Sequence, residues 1–170
     1  MRKAAIVLYG CILSFVLFLG IAQAADKFGY VDLSRSFSEY GKTKDYDKVL
    51  GDKEAAYTAD RDQKIADIKQ FQDKMNLLSD KEKETKKTEL ETKVKALQDY
   101  DRQKQADLRK EQDEKMKEIL KDIEDAVKKY SEKEGYTMVF NDRVLVYQTK
   151  DMDITDKILE ILNKNYKKSN

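Results

Sequence analysis

Asp, Glu, Lys and Tyr are the groups this sequence offers for acid–base chemistry, since it has no His and its one Cys, Cys11, lies in an apolar leader. Thiolate and imidazole sites, and the zinc sites and nucleophile triads built on them, are excluded on composition. An enzyme would need a convergent carboxylate and proton acceptor among residues that occur all along the chain. Their spacing points elsewhere. Glu89 with Lys93, Glu91 with Lys95, Glu111 with Lys115 and Asp113 with Lys117 stand acid first at i,i+4. Each such pair supports a helix by about 0.2–0.5 kcal/mol. No GxxxxGK or GxGxxG is present, and Gly29, Gly41, Gly51 and Gly135 are scattered, so no phosphate cradle is written. The expectation is a protein that is not an enzyme and uses no cofactor or metal.

The elements that carry these residues begin after a secretory leader at 1–24. Arg2 and Lys3 start it, an apolar run from Ala4 to Ile21 follows, and Ala22-Gln23-Ala24 forms an A-x-A exit. A retained anchor is the alternative, but the small residues at the exit favour cleavage. Tyr9 is too bulky for the approach to a lipidated Cys11. Of 34 basic residues, removing Arg2 and Lys3 leaves 32 against 33 acidic, a net charge of −1. That is no footprint for nucleic acid. With 39% of residues charged, the choice lies between disorder and an elongated helical body.

Periodicity decides for helices. The stretch 27–37, KFGYVDLSRSF, reads as a strand followed by a polar cap at Asp32 or Ser34, with Gly41 interrupting the first helical turns. From 42 to 134 there is no Pro and one Gly, and Ser79-Asp80-Lys81-Glu82 writes a capping box. Two helices, 43–77 and 80–133, are predicted, folded into an antiparallel pair. At 1.5 Å per residue the second is about 80 Å long and has to project. Ile65, Ile68, Phe71, Met75 and Leu78 face Leu90, Val94 and Leu97 near the turn, and Met116, Ile119, Ile123, Ala126, Val127 and Tyr130 form a stripe at the base. Between them, DYDRQKQADLRKEQDEK at 99–115 places Asp101, Lys104 and Glu111 at seam positions. This middle should stay helical but bend at low cost.

Gly135 should end the second helix. A hairpin turning near Asn141-Asp142 is expected next, with Met138, Val139 and Phe140 on one strand and Val144, Leu145 and Val146 on the other. A helix carrying Ile154, Ile158, Leu159, Ile161 and Leu162 closes the chain. The fold class expected is α+β, mostly α: a small β-rich oligomerisation core with a long inserted antiparallel α-helical coiled-coil hairpin. The core and terminal helix take 25–41 and 135–170, and the arm takes 42–134. So small a base, with strands apolar on both faces, should share one core among several copies.

In its order of parts the chain resembles the Skp/OmpH family of periplasmic chaperones. The residues that carry the resemblance are FGYVDLSRSF at 28–37, VFND at 139–142 and DITDKILEILN at 153–163, set around the long charged hairpin. The resemblance implies a periplasmic homotrimer whose β core holds three helical arms around a cavity. It also implies an ATP-independent holdase that binds unfolded outer-membrane β-barrel proteins there and prevents their aggregation. Familiar members are often strongly basic, whereas residues 79–117 here carry 12 basic and 11 acidic side chains. At most a weak membrane-surface contact is expected.

The oligomerisation core is assigned to Tyr30, Val31, Val139, Phe140, Val144, Val146, Ile154 and Ile158. Tyr57, Ile65, Met75, Leu77, Tyr100 and Leu108 are the candidate client contacts, with seam packing as their alternative role. A structural coiled-coil spacer or tether in the envelope is the competing function.

Overall fold

The computed structural model describes residues 26–169; the leader expected at 1–24 lies outside them. Strand β1 spans Phe28–Val31 and is followed by a short helix α1, Leu33–Glu39. Asp32 caps α1, its Oδ1 accepting from the Arg35 N–H at 2.8 Å. Tyr40 is extended, at φ −66° and ψ 127°, which separates α1 from the long helix α2, Gly41–Asn76. After a tight turn the return helix α3 runs over Asp80–Glu134. The Glu82 carboxylate accepts from the Ser79 N–H at 3.1 Å, as the capping-box spacing predicts. Gly135 closes α3 in the left-handed region at φ 72°, where a Cβ would be strained. Strand β2, Met138–Asn141, leads through a 3-10 turn at Asp142–Val144 and another at Lys150–Met152 to helix α4, Thr155–Ser169.

The sheet differs from the expected hairpin. β2 pairs in parallel with β1, in the register Phe28 with Met138 through Val31 with Asn141. Residues 144–146 form no strand. Asn141 Oδ1 accepts from the Arg143 N–H and the Leu145 N–H bonds to the Asp142 carbonyl, so the chain curls where the hairpin turn was expected. The whole arm lies between β1 and β2, and a crossover that long permits parallel pairing. A third strand is reduced to a bridge at Asp153, where the Ile154 N–H donates to the Tyr30 carbonyl at 3.0 Å.

The core sits entirely at this end. Val31, Tyr40, Ile119, Ile123, Ala126, Ile154, Ile158 and Leu162 form one buried cluster. Thr155, fully buried, ties the two ends of the chain together: its Oγ1 accepts from the Asp32 N–H at 2.9 Å and donates to Asp153 Oδ1. Gly29 allows the close approach, since a Cβ there would meet the Tyr136 ring at 2.8 Å.

Candidate functional site

Beyond the base the two long helices travel alone, and no residue from Lys44 to Glu118 is buried. What joins them is mostly polar and is sorted by charge. At the root, Lys42 on α2 reaches Glu118 at 2.6 Å and Asp122 at 2.7 Å on α3. Further out Lys53 meets Glu111 at 2.5 Å. Arg61 then donates to Asp101 at 3.2 Å. In every one of these cross-helix pairs the outbound helix supplies the cation and the return helix the carboxylate.

The middle of the seam, expected to be weak, holds a clasp. Tyr57 and Tyr100 face each other with ring centroids 6.0 Å apart. The Tyr57 hydroxyl donates to Asp101 Oδ1 at 3.1 Å, and the Tyr100 hydroxyl donates back across the seam to Asp60 Oδ2 at 3.2 Å. Lys64 lies over the Tyr100 ring, 4.9 Å from its centre. Local burial, and then the bond to Asp60, raise the Tyr100 hydroxyl above the usual phenol range. The seam there is polar, as the spacing of Asp101 and Glu111 predicts, but it is occupied. Beside it lies a shallow hollow of about 300 Å³ edged by Ala56, Tyr57, Tyr100 and Leu108.

Nearer the tip, Ile68, Phe71, Met75, Leu78, Leu90, Val94 and Leu97 are half-buried and close the seam by apolar packing. Lys93 and Lys86 cover the Phe71 ring at 5.3 and 5.9 Å. Ile65 is exposed, and Leu77 at the turn is 88% exposed.

The six candidate client residues therefore divide. Tyr57, Met75, Tyr100 and Leu108 are half-buried along the pair of helices, while Ile65 and Leu77 stand open. The eight assigned to the base divide as well. Tyr30, Val31, Ile154 and Ile158 are buried within one chain, and Val139 and Phe140 are partly covered. Val144 and Val146 project from the base, 67% and 105% exposed, with Tyr147 beside them at 83%.

Sequence reasoning missed the Lys42 cluster. The hydroxyl of Tyr40 donates to Asp122 Oδ2 at 3.2 Å, so one lysine, two carboxylates and a phenol meet where the arm joins the base. Burial lowers the Lys42 ammonium, but hydrogen bonds to Asp122 and Glu118 outweigh it and hold the group above its usual range. Hydrogen bonds from Lys115 and Lys42 pull Glu118 down to about 2. Burial, then Asp122, pushes Tyr40 up to about 12. The signal that could have found this cluster is the antiparallel register itself, which sets Lys42 opposite Glu118 and Asp122 once the turn at Ser79 is placed.

Among the described residues no group of three or more acidic side chains is arranged to hold a metal ion. No helix among them is long and apolar enough to cross a membrane.

Three comparisons bear on the arm and base together. The family model described as outer membrane protein (OmpH-like) matches residues 27–162. The chaperone protein Skp of Vibrio cholerae serotype O1 is 29% identical over 165 residues, covering 89% of this chain and 92% of that protein. The solved structure of an OmpH-like outer membrane chaperone from Caulobacter crescentus CB15 superposes with a TM-score of 0.77 at 13% identity, covering 87% of this chain and 90% of that one.

Proposed function

The chain belongs to the OmpH-like outer membrane protein family, and from that membership we propose that it is an ATP-independent holdase of the periplasm. It encloses unfolded outer-membrane β-barrel proteins between helical arms and prevents their aggregation before membrane assembly. The observation that carries this reading is the bare arm: two helices with no buried side chain from Lys44 to Glu118 keep most of their circumference free for a guest. A barrel strand in transit exposes a lipid-facing apolar band that would otherwise pair with another copy. Ile65 and Leu77 offer it open apolar contact, and Tyr57, Met75, Tyr100 and Leu108 offer ring edges and half-covered surface along the seam. Many small contacts of this kind hold a loosely structured client without a grip that prevents release.

One arm cannot enclose anything, so the reading requires several copies joined at the base as a homotrimer. Val144, Val146 and Tyr147, and with them Phe28 and Met138, are exposed on a single chain and supply apolar surface for that contact. Lys81, Lys83, Lys86 and Lys87 near Leu77 give the tip the chemistry for a weak membrane-surface contact; nothing in the charge balance suits nucleic acid.

The test is dilution of a urea-unfolded outer-membrane barrel into buffer containing the processed protein. A holdase suppresses light scattering at stoichiometric amounts of oligomer. Unchanged aggregation would leave the spacer or tether as the better account. Val146→Asp, at a position that packs on nothing within its own chain, should split the oligomer in sedimentation while helicity stays the same.

A further inference from the structure

Helix α2 begins without a cap from its own sequence. Tyr40, the residue before it, makes no side-chain capping bond, yet a helix start leaves its first N–H groups without partners unless an acceptor is brought to them. The acceptor comes from the other end of the chain. The Gly41 N–H donates at 2.8 Å to Oδ1 of Asn163, a residue of α4 that lies 122 positions further on. Tyr166, one turn along the same helix, sets its ring edge-on to Tyr40 at 5.9 Å, and its hydroxyl donates to Asp45 Oδ2 at 2.8 Å. The terminal helix thus grips the first turn of α2 at two points. Glycine at 41 suits the contact, because a Cβ there would lie 3.1 Å from Asn163 Oδ1 and 3.4 Å from the Tyr166 ring.

We propose that Asn163 is a positioning residue: it caps the outbound arm helix from α4 and, braced by Tyr166, sets the angle at which the arm leaves the base. The two arm helices are anchored unequally. α3 is held in the core by Ile119, Ile123 and Ala126, whereas among α2 residues only Thr43 is buried. Loosening the first turn therefore lets α2 lean on its partner. At 1.5 Å per residue its 36 residues extend about 54 Å, so a tilt of about 5° at the root displaces the tip by about 5 Å. The consequence for a client, the width of the space between arms, rests on the chaperone reading; the cap itself does not.

The experiment uses the whole processed oligomer. The chain beyond the leader has no Cys, so Asn76→Cys and Lys150→Cys give spin-label sites at tip and base. Asn163→Leu keeps the volume and removes the acceptor. It should speed amide exchange at 41–45 about fivefold and broaden the tip-to-base distance distribution, with exchange at Ile123 and Ile158 unchanged. Asn163→Asp retains the acceptor and should restore both. An Asn163→Leu protein with unaltered exchange and distances overturns the proposal, as does an Asn163→Asp protein as loose as the Leu variant, which would mean packing alone.

If Asn163→Leu does not fold, Gly41→Ala decides. Helix propensity alone makes alanine the better residue there, while crowding of Asn163 should loosen the first turn; a tighter turn overturns the cap. Distances that move as expected while neither the parent protein nor any variant suppresses barrel aggregation sink the chaperone reading and leave the cap standing.

Discussion

The base and the arm are cut from the same helix, α3, yet they cohere by different forces. In the base, Ile119, Ile123 and Ala126 are buried against Ile154, Ile158 and Leu162, and burial of each Ile or Leu side chain stabilises by about 1.5–3 kcal/mol, without the charge screening that weakens ion pairs. In the arm the same helix offers Asp101, Glu111 and Glu118 to cations across the seam. Exposed pairs of this kind are worth about 0.2–1 kcal/mol, and water can replace them one at a time. The difference teaches how one chain can be rigid at one end and adjustable at the other: the base has a buried core to lose, whereas the root and middle of the arm are joined by separable polar links and only its tip by half-buried apolar side chains.

The largest way to break this contrast is to remove core volume. Ile158 is fully buried, and Ile158→Ala should cost about 2–5 kcal/mol. The unfolding free energy from urea titration followed by base tyrosine signals should fall by that amount, with the midpoint lowered accordingly, while amide exchange around Tyr57 and Tyr100 stays as it was. Arm amides that loosen in step would show that the two regions are one cooperative unit.

A smaller effect is expected from the clasp. Asp101→Ala removes the acceptor of both the Tyr57 hydroxyl and Arg61, a net loss of about 1 kcal/mol. Exchange in the middle of the arm should quicken about fivefold with the base unaffected. In the unmodified protein, raising salt from 0.01 M to 1 M shortens the screening length from about 30 Å to about 3 Å. The same arm amides should respond to it and the Ile158 region should not.

Much of the fold was legible because single residues announce helix ends. Ser79 with Glu82 and Gly135 act through their nearest neighbours, so the two long helices came out within two residues of Gly41–Asn76 and Asp80–Glu134. The sheet was not legible. Apolar runs at 138–140 and 144–146 show that residues want cover without saying from where, and β2 found β1 across the whole arm instead of the segment following it. The clasp was hidden for a similar reason: Arg61 and Asp101 each look like part of a solvated face until the register brings them together. Tyr57 and Tyr100 stood out in the sequence as candidates for client contact or seam packing, but their hydroxyl partners, Asp101 and Asp60, belong to the opposite helix. Asn163 carried no local signal at all.

The arm can also be sharpened without touching the seam. Gly51 lies within α2 with nothing inside 4 Å of a Cβ placed there, so alanine meets no clash and only the helix propensity changes. Gly51→Ala should strengthen the outbound helix by about 0.8–1 kcal/mol, seen as slower exchange at neighbouring amides. The base midpoint should be unaltered.

The smallest effect belongs to the junction, where the two regions share charges. Glu118 titrates at about 2 instead of its ordinary 4.5, through Lys115 first and then Lys42. Its contribution is therefore complete above pH 4.5 and is lost as pH falls from there towards 2. Tyr40 shifts the opposite way, from 10.0 to about 12, by burial and then by Asp122. Its neutral form stabilises the root below pH 10, and that support disappears between pH 10 and 12. The Glu118 side chain is 44% exposed, so after solvent screening its share should stay below about 1 kcal/mol. Amide exchange at 41–45, corrected for the intrinsic pH dependence, should be flat from pH 5 to pH 9 and rise at both ends, while exchange at Ile158 stays level on the acid side. Glu118→Gln should abolish the acid rise and leave the alkaline one. An acid rise that persists in that variant would show that protonation of Glu118 is not what loosens the first turn of α2.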